Sequence, residues 1–308
     1  MSEKIVSPFH EVFCSLSALQ MYDTAILYRH GIERDHKEDL RRSKMHEETA
    51  TLNLVRRSIV ASQIYPTFKF GAILHSRILE SSSGADLEMS LRFDSGWLNL
   101  VLQAKLLHPP KAKAPYWSYQ SWKSKQNVKL IKWCKNRSTP SKQLVPGMLL
   151  YNHPVPEITS RTTQDPFGAC SLAQDYIETR LIDHYYTLMC PAFPAPPLMR
   201  GDQYRTPAGI SVCLDEGMMR DLNAPSMADI TRSHFPLEHL AHFENHGSGQ
   251  TRYQAPFPFP GASEVLSENG PEWAEHLLEG VPPQEVDSGT FTDVEALPVA
   301  SVALDLRT

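Results

Sequence analysis

Four polar side chains within the first 105 residues have the chemical types needed for metal-assisted hydrolysis: Glu48, Asp86, Gln103 and Lys105. Carboxylate and amide oxygens are hard ligands of the kind that Mg2+ or Mn2+ prefers. Such an ion polarises a phosphoryl group and lowers the pKa of an attacking water, and a nearby amine stabilises the charge that develops. This set of side chains therefore predicts hydrolysis of a phosphodiester bond.

Each residue has a definite role in that chemistry. Asp86 is the anchoring metal ligand, and the Gln103 side-chain oxygen and the Ala104 carbonyl complete the site. Lys105 positions or deprotonates the water, while Glu88, two residues after Asp86, is a further metal ligand. The same side chains also suit a cross-strand ion pair between Lys105 and Asp86 on a partly exposed sheet face.

Alternating apolar and polar residues predict the hairpin that brings these side chains together. In ADLEMSLRF, the leucines, the methionine and the phenylalanine point one way, and WLNLVLQAKLL alternates again after the turn Asp94-Ser95-Gly96. A hairpin that pivots near Ser95 places Asp86 opposite a point near Ala104, between Gln103 and Lys105, provided that the polar faces coincide. A register change of one residue would separate them.

Two helices flank the hairpin in the predicted fold. The first runs from about Met45 to Ser62, where Leu52, Val55 and Ile59 form a buried stripe. Glu48 projects near the centre of that stripe and Glu47 about 100° away, so Glu48 could approach the site as a further ligand or general base. The second helix, from 124 to 136, contains Gln126, which either approaches the site or lies on a polar face.

The order helix, strand, strand, strand, with these residues on it, resembles the PD-(D/E)XK nuclease superfamily, which includes restriction endonucleases. EET, SSSGADLEMSL, LVLQAKLL and LLYNHP are also similar to a family of uncharacterised microbial proteins assigned to that superfamily. The resemblance covers roughly residues 45–153. It implies a restriction-endonuclease-like α/β core, a mixed sheet flanked by helices, and a metal-dependent nuclease acting in genome defence or DNA processing. Two positions depart from the motif, because Gln103 replaces an acid and Ala85 replaces the proline before Asp86.

Charge is divided unevenly along the chain. There are 22 Lys and Arg against 13 Asp and Glu up to Leu150, and 8 against 22 after it. The stretch from Lys105 to Lys142 has no acidic residue and carries several aromatic rings, which suits phosphate contact and base stacking, although a solvated helix face is the plainer interpretation. The predicted nucleic-acid contacts, with DNA favoured over RNA, are Lys111, Lys113, Trp117, Trp122, Lys123, Lys125, Lys129 and Lys132.

Composition divides the chain into four regions. We expect an N-terminal helical extension (1–44), the nuclease-like core (45–155), a helical, proline-rich region packed on it (156–237), and an acidic, weakly ordered tail (238–308). The tail has twelve acidic residues against Arg252 and Arg307, and it could bind the basic face of the same chain.

Other features narrow the class of protein. We find no secretory signal and no apolar run near the ~20 residues that span a bilayer, so we expect an intracellular protein of the cytoplasm or nucleus that does not bind membranes. The five cysteines are never paired as C-x-x-C, which predicts reduced thiols. Two other functions fit the same sequence: an inactive nucleic-acid-binding module of the same fold, and a protein-interaction scaffold.

Overall fold

A computed structural model describes several separate stretches of the chain. The described residues are Phe9, Val12, Phe13, Leu16, Gln20, 47–75, 85–108, Ser118, Tyr119, Trp122, 125–152, 210–222, Pro225, 234–237, Leu240, 265–281 and 300–307. Their helices are α1 (Glu47–Ile64), α2 (Lys125–Arg137), α3 (Glu216–Asp221) and α4 (Glu272–Leu278). Their strands are β1 (Lys69–Leu74), β2 (Leu87–Phe93), β3 (Gly96–His108), β4 (Ser118–Tyr119), β5 (Leu144–Tyr151), β6 (Ile210–Cys213), β7 (His234–Pro236) and β8 (Ala300–Asp305). None of the described helices is both long and apolar enough to cross a bilayer.

Seven of the strands form one mixed sheet in the order β1-β8-β2-β3-β5-β6-β7, and β4 pairs with the end of β3. The pairs β2/β8 and β3/β5 are parallel, and the other pairs along the sheet are antiparallel. The expected α/β class, with a mixed sheet and flanking helices, is confirmed.

The predicted hairpin of β2 and β3 is confirmed, but its register differs from the expectation. Phe93 pairs with Gly96, so the turn contains two residues rather than pivoting on Ser95. Gly96 has a φ of 142°, which favours glycine, and a Cβ there would lie 2.6 Å from the Ser267 carbonyl oxygen. Each β2 residue consequently pairs with a β3 residue one position earlier than expected, as in Leu87 with Leu102.

The two faces of the sheet have different covers. The leucines of β2 and those of β3 up to Leu106 pack with α1 in the largest core cluster. On the other face, α2 packs over Val101, Met148 and Leu150, whereas α4 packs against β1 and β8. Glu88 alternates with the core residues Leu87 and Met89, so it belongs to the second face. The middle of that face is therefore polar where β2 crosses it.

The C-terminal part of the chain corrects the expectation of an acidic tail from residue 238. Strand β8 lies between β1 and β2, and its residues Ala300, Val302 and Leu304 are buried in the main core. Ser267 exchanges two backbone hydrogen bonds of 2.8 Å with Trp97, which fastens the segment before α4 to the hairpin. The last strand thus forms part of the sheet, because its alternating apolar residues are buried in the core.

Most of the region 156–237, which was expected to be helical and proline-rich, lies outside the described residues. Its described parts supply β6 and β7, which extend the sheet beyond β5, together with the short helix α3. The boundary expected at residue 155 therefore does not separate two folding units, because the strands on either side of it are hydrogen-bonded neighbours.

Candidate active site

Asp86 is fixed at the point where β2 and β3 separate. Its backbone N–H donates to the Leu102 carbonyl at 2.8 Å, and its carboxylate Oδ2 accepts the Ala104 N–H at 2.6 Å. The carboxylate therefore substitutes for the strand carbonyl that Ala104 would otherwise meet, and only 8% of Asp86 is exposed. Because Ala104 lies between Gln103 and Lys105 in sequence, this hydrogen bond holds the acid beside both residues.

The Ala104 carbonyl has a matching orientation. In an extended strand the N–H and C=O of one residue point to the same edge. Since the Ala104 N–H points to Asp86, the Ala104 carbonyl also faces the β2 side of β3. A carboxylate and a backbone carbonyl thus occupy the same edge, as the predicted metal site requires.

Gln103 carries an acceptor that lacks a partner. The residue is 2% exposed, and its Nε2 donates to Oε1 of Gln126 at 2.8 Å. Its own Oε1 is buried and has no hydrogen-bond partner. A buried, unsatisfied amide oxygen costs about 1–3 kcal/mol, and a cation or a donor would remove that cost. Gln126 lies at the start of α2 with an exposed side chain, and its hydrogen bond with Gln103 brings it to the site.

Lys105 is buried, with 5% of the residue exposed. Burial lowers the pKa of its amine, while the negative charges of Glu47 and then Asp86 act in the opposite direction. A lysine with a lowered pKa releases its proton more readily than an exposed one. Lys105 and Asp86 are therefore close enough to interact electrostatically. The one-residue difference in the register of β2 and β3 does not separate them, because the Asp86 carboxylate bonds directly to the N–H of Ala104, the residue before Lys105.

Helix α1 presents Glu47 rather than Glu48 to Lys105, which corrects the sequence prediction. The buried face of α1 consists of Ala50, Thr51, Leu54, Val55 and Ser58, and Ile59 is 38% exposed. At 100° per residue, Glu47 projects near the centre of that face, and Glu48 about 90° away from it. The phase was misjudged because two hydroxyl residues are buried: Thr51 and Ser58 donate to carbonyls of their own helix at 3.0 and 2.9 Å.

Glu88 is a second buried acid on β2, with 7% exposure. Burial raises its pKa to about 7, against the opposing effects of Lys142 and of a hydrogen bond from Ser301. Burial disfavours the charged form of this carboxyl group, and strongly shifted pKa values of this kind are common at functional sites. The sequence did not indicate the partner, because Ser301 lies in the region expected to be a tail.

The predicted nucleic-acid contacts fall into three groups. Lys125, Lys129 and Lys132 are exposed along one face of α2, as expected for phosphate contacts. Trp122 is a correction, because it is fully buried and its Nε1 donates to the Met218 carbonyl at 2.9 Å, so its ring cannot stack on a base. The remaining four predictions lie outside the described residues: Lys111, Lys113, Trp117 and Lys123.

The donor set fits a hard divalent cation. Within the described stretches, no group of three or more His, Cys, Asp and Glu residues could hold a metal ion. The candidate site differs from such a group because its ligands are one carboxylate, one amide oxygen and one backbone carbonyl, from Asp86, Gln103 and Ala104. Oxygen donors of these kinds suit Mg2+, which keeps several of its waters. The unpartnered Gln103 oxygen is the observation that favours a cation there.

Comparison with known proteins gives a family but no activity. Residues 23–294 match a family of unknown function, DUF6615, and the chain belongs to that family. No curated protein and no solved structure matches the chain. Any function for this chain must therefore be inferred from its own site.

Proposed function

We propose that this protein is a metal-dependent nuclease that hydrolyses phosphodiester bonds of nucleic acid, with Asp86, Gln103 and Lys105 at its active site. The proposal depends mainly on one contact, the 2.6 Å hydrogen bond between the Asp86 carboxylate and the Ala104 N–H. That bond fixes an acid next to a buried amide and a buried amine, and these three groups are the ones that the hydrolysis needs.

The arrangement of elements supports a restriction-endonuclease-like core for this site. Helix α1 is followed by β1, β2 and β3, then by α2 and β5, and the β2/β3 pair is antiparallel while β3/β5 is parallel. This sequence of elements agrees with the order implied by the resemblance. In this chain β8 lies between β1 and β2.

The site residues divide the chemistry among them. Asp86, Gln103 and the Ala104 carbonyl would hold a Mg2+ or Mn2+ ion, which when bound polarises the phosphate and acidifies water. Lys105, as a neutral amine, accepts a proton from the attacking water, and the ammonium so formed opposes the negative charge that develops on the phosphate. The negative charge of Glu47 counteracts the effect of burial on the pKa of Lys105, which makes the amine a stronger proton acceptor than burial alone would leave it.

The exposed face of α2 supports a polyanionic substrate. Lys125, Lys129 and Lys132 lie on the helix that also presents Gln126 to Gln103, so the basic face begins beside the site. Contacts between lysines and the phosphate groups of a nucleic acid do not depend on its base sequence, and they weaken as the salt concentration rises. We propose DNA in preference to RNA as the substrate, in a defence or DNA-processing role, and this preference follows from the resemblance.

The proposal is tested by incubating the full chain with labelled single- and double-stranded DNA and RNA in Mg2+, Mn2+ or EDTA. Metal-dependent cleavage by the wild-type protein is expected, and it should be lost in Asp86→Asn and in Lys105→Ala. Lys69→Ala is a matched control, because that lysine is 61% exposed at its side chain and pairs with Asp305 at the far end of β1. Cleavage that persists in both site variants would refute the assignment.

An inactive nucleic-acid-binding module is the second candidate function. The observation that favours it is the neutral Gln103, which brings no charge to the cation and is hydrogen-bonded to Gln126. Binding of nucleic acid without cleavage in any metal, and without any effect of Asp86→Asn, would identify this alternative.

A further inference from the structure

Two glutamine side chains join strand β3 to the start of helix α2. Nε2 of Gln103 donates to Oε1 of Gln126 at 2.8 Å, and Gln103 is buried whereas Gln126 is exposed. A primary amide has an acceptor oxygen and a donor NH2 group, so this bond also decides which of the two is left over in Gln103. The atom left over is Oε1, which is buried and has no hydrogen-bond partner.

The opposite sense of this hydrogen bond would change the chemistry of position 103. If residue 126 donated to Oε1 of Gln103, the Gln103 amide would be reversed, and its NH2 group would replace the unpartnered oxygen. Hard divalent cations take oxygen ligands, so the reversed amide would offer no ligand. The group that residue 126 presents therefore controls whether position 103 can bind a cation.

Buried hydrogen bonds anchor the start of α2, where Gln126 is the second residue. Nδ2 of the buried Asn127 donates to the carbonyls of Trp122 and Met219, the second at 2.9 Å. These bonds tie the first turn of α2 to the chain before it and to α3. The backbone that presents Gln126 to β3 is therefore fixed, although the Gln126 side chain lies at the surface.

We infer that Gln126 is a positioning residue: by accepting the hydrogen bond of Gln103 Nε2, it holds the Gln103 amide with its oxygen free for the metal ion. The inference rests on the proposed function. Because Gln103 carries no charge, the direction of its amide dipole decides whether it attracts a cation. Partners that fix the orientation of a ligating group are worth about 10- to 100-fold in metal affinity. Helix α2 thus orients a metal ligand as well as presenting its exposed lysines to nucleic acid.

The test is Mn2+ binding by the full chain, followed by the electron paramagnetic resonance signal of free Mn2+. Gln126→Glu presents only acceptors, so it keeps the Gln103 oxygen free, and Mn2+ affinity should equal or exceed that of the wild-type protein. Gln126→Lys presents only donors, which bind the Gln103 oxygen, and Mn2+ affinity should fall about tenfold or more. Both substitutions are at an exposed position and should leave the fold intact.

Two further variants are matched controls for the added charge. Val128 is 56% exposed on the same helix, two residues after Gln126. Val128→Glu and Val128→Lys add the same charges without meeting the Gln103 amide. The ratio of Mn2+ affinity in the Glu variant to that in the Lys variant should be at least about tenfold larger at position 126 than at position 128.

The outcomes separate this inference from the proposed function. Equal ratios at the two positions show that charge alone matters, which overturns the positioning role and leaves the nuclease proposal standing. Absence of Mn2+ binding by the wild-type protein, or Mn2+ binding that Asp86→Asn does not weaken, overturns both. If Gln126→Lys does not fold, Gln126→Met decides the matter, because methionine has no acceptor oxygen to hold the Gln103 amide. Its Mn2+ affinity should fall about tenfold, and an unchanged affinity overturns the inference.

Discussion

Replacing Gln103 with Glu gives opposite effects in the absence and presence of metal. Without metal, Gln103→Glu places a second carboxylate beside Asp86. It also removes the Nε2 donor that in the wild-type protein lies 2.8 Å from Oε1 of Gln126. Because residue 103 is 2% exposed, water cannot compensate, and a loss of about 1–3 kcal/mol in the free energy of unfolding is expected. For a chain of this size that corresponds to a fall in Tm of roughly 5 °C.

With metal, the additional charge becomes favourable. A ligand that binds only the folded state stabilises it by about 2.7 kcal/mol at 100 times its Kd. Saturating Mg2+ should therefore raise the Tm of Gln103→Glu by more than that of the wild-type protein, and so close or reverse the difference between them. Thermal unfolding followed by circular dichroism, with and without 10 mM Mg2+, measures both values.

A control variant isolates the effect of charge. Gln126→Ala removes the hydrogen-bond partner of Gln103 without adding a carboxylate. Its Tm should therefore be slightly lower than that of the wild-type protein, and Mg2+ should raise it by no more than it raises the wild-type Tm. If Mg2+ leaves the Tm difference between Gln103→Glu and wild type unchanged, no cation binds at residue 103 and the site has been wrongly assigned.

Three further predictions follow from other parts of the site. Glu47→Gln should lower cleavage about tenfold or more while Glu48→Gln stays near wild type, because Glu47 is the helix acid whose charge acts on Lys105. Equal effects of the two substitutions in steady-state kinetics would contradict the helix phase. The double variant Lys129→Ala, Lys132→Ala should reduce the slope of log K against log salt by about 1.8 for duplex DNA in fluorescence anisotropy, and an unchanged slope would remove α2 from the interface. Denaturant titrations across pH should separate two groups with opposite effects on the free energy of unfolding. Because the pKa of Glu88 is raised to about 7, its contribution to that free energy should fall as the pH rises from about 4.5 to 7. Because the pKa of His75 is lowered to about 4, its contribution should rise between about pH 4 and pH 6.5. Glu88→Gln should thus abolish the fall and His75→Gln the rise, and profiles that match wild type would show that neither group titrates as its burial requires.

The hairpin and helix α2 could be predicted from sequence because local patterns determine them. Period-two alternation in β2 and β3 identifies them as strands, although both of their faces are buried. Helix α2 was predicted to within one residue at each end. The register was wrong by one residue because it depends on the turn, where Gly96 with its positive φ pairs with Phe93 instead of belonging to the loop.

The C-terminal strand was missed because its position depends on distant residues. ASVALD alternates as a strand does, and that signal was available, but it follows a long acidic segment with a proline-rich run. Insertion of β8 between β1 and β2 is a non-local pairing that no window of sequence contains. The same limitation concealed Ser301 as the partner of Glu88.

The helix phase was misjudged for a different physical reason. Apolarity identifies a buried face only when the buried residues are apolar, and α1 buries Thr51 and Ser58 by bonding their hydroxyls to the helix backbone. Tyr151 adds to this by donating to the Thr51 hydroxyl at 2.9 Å. The resulting rotation brings Glu47 to the site in place of Glu48.

The most direct test of the central claim measures cleavage and binding on one preparation of Lys105→Met. Methionine keeps the length and burial of Lys105 but has no amine, so nucleic-acid affinity, which depends on the exposed lysines of α2, should stay within about threefold of wild type. Metal-dependent cleavage should fall by at least about 100-fold, since the proton-transferring group is gone. Cleavage that continues at the wild-type rate in Lys105→Met would contradict the account.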